Sequence, residues 1–312
     1  LSTIALIELM TGPLNLGIVW RCIFRKELLS DPFADIRPYR DEELSTALDK
    51  LLLNSEFLNV VGQWKFGAFS RLFPRLCRII LRASLRRRQK KIANVKDMQL
   101  VIESYMDRMI DQSSSGFSYS GLADLPREKA CLYMSNHRDI AMDPAFTNYA
   151  LHRDGRETCR IAIGDNLLTK PWVSDLMRLN KSFIVKRSLS APRQLLAASK
   201  KLAQYIQYSL VQEGESIWLA QREGRAKDGL DQTEPAIIKM LALARNKAES
   251  TFAEHIATLS IVPVAISYEL DPCDALKASE LYQRDTSGSY EKGEQEDLAS
   301  IGRGIAGEKG CV

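Results

Sequence analysis

The sequence predicts an α/β protein: a mixed, largely parallel sheet flanked by helices, preceded by a helical N-terminal region. Three observations carry this. From 41 to about 112, apolar residues recur at three- and four-residue spacing, which is the helix period. Ser113, Ser114, Ser115 and Gly116 then break the pattern and read as a linker. Beyond them, short apolar runs alternate with helix-like stretches, the signature of strands layered with helices. The expected divisions are 1–30, an N-terminal segment without assignment; 31–115, the helical region; and 116–312, the α/β domain. A chain that is 45% apolar and 26% charged is neither collagen-like nor largely disordered.

Taken in order, residues 1–20 are partly apolar, but Glu8, Gly12, Pro13 and Asn15 interrupt them. The longest charge-free piece, 9–20, falls short of the about 20 residues that span a bilayer. It also lacks the basic start and small-residue cleavage site of a secretory signal. The chain does not begin with Met, and it stops at Gly310, Cys311 and Val312, where a strand would start. A fragment or a misplaced start is expected. Leu44, Leu48, Leu51 and Leu52 mark the first helical stripe; Met98, Val101, Ile102, Tyr105, Met109 and Ile110 mark the last. Between them, residues 61–100 hold eleven of the 43 Lys and Arg residues against one acid, Asp97. Such a concentration calls for a local partner.

Pro74 marks a first turn, so a helix is expected from there to about Lys91. Arg71, Arg75, Arg78, Arg82 and Arg86 share one face, and Phe69, Leu72, Phe73, Leu76, Ile80 and Ala83 the other. With Trp64, Phe66 and Phe69 upstream, this is the pattern of a helix lying on an anionic membrane surface, the five arginines facing the lipid. The plainer alternative is a surface helix whose apolar side packs on the α/β domain. No nucleic-acid motif accompanies the charge, and no nucleic-acid partner is expected.

Strands are expected at 131–134, 160–163, 182–185, 217–220 and 261–267, and helices at 144–152, 171–179, 192–212 and 235–248. Pro263 inside the last strand points to an edge or a bulge. The six cysteines form no CxxC pair and read as buried, reduced thiols of a cytosolic protein; with three histidines in the chain, no metal site is expected. Active sites of α/β sheets sit where strands end. After 131–134 come His137, Asp139 and Asp143, with Asp143 placed as N-cap and Pro144 in the first turn. An imidazole on a short loop beside a carboxylate suits general-base chemistry, since the acid fixes the tautomer and stabilises the cation formed. The alternative is a loop histidine and a simple helix cap. The third strand delivers Lys186 and Arg187, and the fourth runs into Arg222, Glu223, Gly224, Arg225 and Lys227. Such cationic turns suit a phosphate, and equally a solvated loop.

The order of these junctions, with the Val262-Pro263-Val264 strand as the fourth, resembles the four sequence blocks of the glycerolipid acyltransferases. These are the glycerol-3-phosphate and 1-acylglycerol-3-phosphate acyltransferases. Ser120, Gly121, Leu125 and Pro126 resemble the entry to the first core strand, and Gly164, Asp165, Asn166 and Leu167 a stretch between the first two blocks. The resemblance covers about 117–267. Two departures stand out: five residues separate His137 from Asp143 where the family has four, and the third block is a residue shorter. Met142 therefore occupies the usual acidic position, Asp139 is the alternative acid, and Arg225 matches only across a deletion.

The resemblance implies transfer of a fatty acyl group from a thioester, acyl-CoA or acyl carrier protein, directly to a hydroxyl of glycerol-3-phosphate or its 1-acyl derivative in phospholipid synthesis. His137 would be the base and Asp143 its partner. Lys186, Arg187, Arg225 and Lys227 would hold the acceptor phosphate, with Glu223 and Gly224 shaping that loop. No metal or redox cofactor is called for, and no Gly-x-Ser-x-Gly elbow points to an acyl-enzyme. Because such an enzyme meets long-chain lipid at a surface, the membrane reading of the arginine helix is preferred, on the inner, cytoplasmic face. The alternatives are another hydroxyl acceptor, such as dihydroxyacetone phosphate or an ornithine lipid, or a non-catalytic lipid- or nucleic-acid-binding protein with a dead site.

Overall fold

Five short strands build one sheet: β1 (Leu132–Ser135), β2 (Arg160–Gly164), β3 (Ser182–Val185), β4 (Ile217–Ala220) and β5 (Ile261–Val264). Their order is β3-β2-β4-β1-β5, and every pair in register is parallel. In this computed structural model, residues 31–293 and 296–312 are described; the expected 1–30 segment, with Cys22, lies outside them. Residues 31–36, with turns at 32–36, fall outside the compact unit formed by Arg37–Val312.

A parallel sheet is covered on both faces, which is why its strands read as unbroken apolar runs rather than alternating ones. All four residues of β1 are buried. Tyr133 and Trp218 are neighbours in register and pack with Leu151 of the helix that follows β1. Phe183 meets Tyr205 at 5.1 Å between ring centroids. β5 is an edge strand, as Pro263 requires: a residue without an N–H cannot serve two ladders.

The helices are α1 (Asp41–Leu53), α2 (Ser55–Phe66), α3 (Ala68–Leu72), α4 (Pro74–Gln89), α5 (Val95–Ser113), α6 (Met142–Arg153), α7 (Pro171–Leu179) and α8 (Pro192–Val211). After β4 come α9 (Pro235–Leu241) and α10 (Phe252–Thr258), and after β5 come α11 (Asp274–Ser287) and α12 (Glu296–Ala306). The N-terminal helices pack on the sheet layer. Leu44, Ala47 and Leu51 of α1 bury with Leu179 of α7, and Met106, Met109 and Ile110 of α5 with Met142, Phe146 and Tyr149 of α6.

Four differences from the sequence-based expectation have physical causes. The helix expected at 235–248 stops at Leu241, passes through a short 3-10 turn and restarts at α10. There Thr251 and Glu254 exchange hydrogen bonds in a capping box. The serine linker is not a loose connector. Ser115 and Ser118 donate backbone N–H groups to Gly310 and Val312, and Gly116 pairs in parallel with Cys311. Cysteines 77, 131, 159 and 273 are buried and unpaired, but Cys311 is exposed.

The fourth difference is α4, which has two apolar stripes. Cys77 and Leu81 bury against α2, where Gly62 leaves room for Leu81. On the other side Leu76 and Ile80 are exposed, as are Leu72 (74%) and Ile79 (64%), so this stripe does not pack on the sheet layer. Arg78 and Arg82 turn inward, to Asn59 and the Leu52 carbonyl, leaving Arg71, Arg75 and Arg86 of the five as exposed cations.

Candidate active site

At the carboxyl end of β1 the chain makes a tight, fully bonded turn. Asn136 clasps the segment after β5: its Nδ2 donates to the Ile266 carbonyl (3.0 Å) and its Oδ1 accepts the Ile266 N–H (2.8 Å). His137 follows, 14% exposed at its side chain, with Nδ1 2.9 Å from Asp143 Oδ2. Its carbonyl accepts the Ala226 N–H at 2.8 Å, which ties it to the turn after β4. Its ring stands edge-on to Trp218, 5.9 Å between centroids.

Asp143 is not the helix cap. It lies in the first turn of α6, fully buried, and its carboxylate folds back over the loop. Oδ2 accepts the backbone N–H groups of Arg138 (2.7 Å) and Asp139 (3.0 Å) as well as His137 Nδ1. Oδ1 accepts the Tyr268 hydroxyl at 2.7 Å. Donors alone converge on it, so Nδ1 carries the ring proton and Nε2 keeps the lone pair a base needs. The N-cap position falls to Ala141, and Asp139, two residues before it, holds the start of the helix with its Oδ1 accepting the N–H groups of Ala141 and Met142, both at 2.9 Å. Burial raises the Asp139 carboxyl above the usual range, opposed by those two N–H groups; nearby Asp143 raises it further and Arg225 lowers it. The two acids near His137 thus divide their work: Asp143 meets the ring, and Asp139 starts the helix.

The cationic turns are only partly open. Arg187, exposed at the end of β3, reaches Glu223 (3.5 Å) across to the turn after β4. Asp165 organises this loop by accepting the N–H groups of Arg187 (2.9 Å) and Ser188, and the Ser188 hydroxyl. Burial alone would raise its carboxyl, but these bonds outweigh that and leave it below the usual range. The Arg187 side chain lies over Gly164, where a Cβ would crowd it. Lys186 is half-buried beside it, and Gly224, at φ 73°, makes the exposed turn. Arg225, by contrast, is 9% exposed: Nη2 donates to Ser300 of α12 (3.1 Å), while Nη1 is buried without a hydrogen-bond partner. Lys227 pairs with Glu280 of α11. Thus Arg187 and Glu223 come together, whereas Arg225 and Lys227 are engaged by helices that sequence reasoning missed. Tyr268 was missed too, since a tyrosine ending an apolar strand carries no signal beyond core packing.

A cavity of about 360 Å³ opens at the other end of the sheet, among Lys96, Arg156, Glu157, Lys181 and Glu215. Its charges are internally paired, Lys96 with Glu157 and Lys181 with Glu215. Among the described residues, no cluster of three or more His, Cys, Asp or Glu side chains could hold a metal ion.

Residues 116–267 match the model of the family described as Acyltransferase. The match runs from the Gly116 bridge to just past β5 and takes in His137, Asp143, Arg187, Glu223 and Arg225. It supports acyl transfer as the reaction class. No curated protein matches the chain. Among solved structures, chloroplast FtsY from Physcomitrella patens aligns at 13% identity over 90% of this chain and 86% of that one. Its TM-score is 0.25, too low to carry any argument.

Proposed function

We propose, with the acyltransferase match of residues 116–267 as premise, that the protein acylates a hydroxyl of a glycerophosphate acceptor from a fatty acyl thioester. The observation that carries this reading is the 2.9 Å contact between His137 and a fully buried Asp143 at the carboxyl end of β1. His137 Nε2 takes the proton of the acceptor hydroxyl as its oxygen attacks the thioester carbonyl carbon. The tetrahedral intermediate collapses, the carbon–sulfur bond breaks, and the thiolate leaves with that proton. Asp143 holds the ring and balances the imidazolium between the two transfers. The thioester is already activated, so these steps call for no cofactor.

Arg187, exposed and steered by Glu223, is the cation assigned first to the acceptor phosphate, with Lys186 beside it. Arg225 and Lys227 join only if Ser300 and Glu280 release them. Glycerol-3-phosphate and its 1-acyl derivative are the acceptors proposed first, with acyl-CoA or acyl carrier protein as donors. Given labelled palmitoyl-CoA, the purified protein is expected to form an acyl ester on one of these acceptors. No product with any hydroxyl acceptor would overturn the proposal, and product on phosphate-free acceptors alone would remove the roles of Lys186 and Arg187.

The same reading puts the protein on an anionic, cytoplasm-facing membrane surface in phospholipid synthesis. No helix among the described residues is long and apolar enough to cross a membrane. The exposed stripe of Leu72, Phe73, Leu76 and Ile79, flanked by Arg71, Arg75 and Arg86, supports an in-plane contact in which the apolar side chains enter the lipid and the arginines meet headgroups. The Leu76→Glu/Ile79→Glu double variant is expected to bind anionic vesicles at least about 100-fold more weakly in sedimentation, from two side chains worth roughly 1.5–3 kcal/mol each. Unchanged binding would remove α4 from the membrane contact.

A further inference from the structure

We infer that Tyr268 is a positioning residue for the His137–Asp143 pair, its hydroxyl fixing the carboxylate through the oxygen that the histidine does not use. The inference rests on the proposed acyl transfer for its kinetic meaning, but the geometry stands apart from it. Three donors crowd Asp143 Oδ2: the His137 ring and the backbone N–H groups of Arg138 and Asp139. Oδ1 receives the Tyr268 hydroxyl at 2.7 Å. Asp143 is fully buried, so without the phenol this oxygen would be an acceptor cut off from water, a costly arrangement. The carboxylate would then gain by rotating, and the Nδ1 contact would loosen with it.

Tyr268 is held on three sides. Two residues earlier, Ile266 is clasped by Asn136, the residue before His137. Immediately after it, the N–H groups of Glu269 and Leu270 bond the carbonyls of Cys311 and Lys309. Its ring stands edge-on to Phe146 of α6 at 5.8 Å and packs with the apolar cluster of α5 and α6. These surroundings would accept a phenylalanine equally well, so the hydroxyl is there for Asp143. Burial, then the negative charge of Asp143, pushes the phenol well above its ordinary range, so it stays a donor. The other charged groups facing this assembly are Asp139 on the same loop, Asp271 after β5, and Arg225 and Lys309, which act through Asp139. None of them makes a hydrogen bond to Oδ1.

Tyr268→Phe is expected to lower kcat roughly 10-fold, the scale of one hydrogen bond to a charged group, with KM for donor and acceptor unchanged. In an Asp143→Ala background the same change should have no further effect on kcat; a purely structural role would give additive losses. The Nδ1 proton resonance of His137, followed by NMR and assigned from a His137→Ala sample, should move upfield in Tyr268→Phe as its contact with Asp143 loosens. An unmoved resonance, or additive losses, would overturn the inference. The NMR arm separates the two failures: an unsubstituted protein with no transfer activity would sink the acyl-transfer reading, and an unmoved His137 resonance would sink the role of Tyr268.

Discussion

His137→Ala is expected to lower acyl transfer roughly 10³-fold, within the span that positioned general bases supply, while the protein stays folded. The ring contributes little to the scaffold. Its side chain is 14% exposed, and the loop is held by backbone bonds that alanine keeps: the His137 carbonyl to Ala226, and the Arg138 and Asp139 N–H groups to Asp143. What disappears is the acceptor for the hydroxyl proton. The measurement is kcat with labelled acyl-CoA alongside thermal melting. Turnover within tenfold of the unsubstituted protein would remove His137 from the chemistry, and with it the proposed mechanism.

Asp143→Asn separates charge from geometry. The asparagine carbonyl can take the position of Oδ2 and still accept from His137 Nδ1, Arg138 and Asp139, while its amide turns to the Tyr268 hydroxyl, which can accept as well as donate. The histidine tautomer is therefore preserved and the fold kept. Only the negative charge opposite the imidazolium is lost, so kcat is expected to fall by roughly 10², less than for removal of the base itself. A loss equal to that of His137→Ala would mean that the amide flips and misorients the ring. Unaltered kcat would show that the carboxylate charge plays no part.

Much of the fold was legible because a parallel sheet buried on both faces leaves uniform apolar runs. Ser182–Val185 and Ile217–Ala220 fall where the sequence places them, while the first strand shifts by a residue, the second gains one and the fifth loses its end. The meeting of His137 with Asp143 was readable from the strand–loop–helix order, but the bonding of Asp143 was not. An Asp before Pro looks like an N-cap, yet Asp143 lies within the first turn and folds back over the loop, while Asp139 accepts the N–H groups that open the helix. For α4 the periodicity was correct and its meaning incomplete. A helical wheel shows where the arginines lie but not which of two apolar stripes a neighbouring helix covers. Arg225 and Lys227 illustrate a third limit: their engagement by Ser300 and Glu280 spans dozens of residues, and no local pattern announces it.

The strap formed by Ser115–Ser118 with Gly310–Val312 bears on how the molecule assembles. Lys309, fully buried, donates to Ser113 across 196 residues of chain, and the next residues carry the segment that seats Tyr268. Closing so long a loop is slow compared with forming helices. During refolding, helicity should return early, and the His137 loop should reach its final shape only once the segments around Ser115 and Gly310 have met.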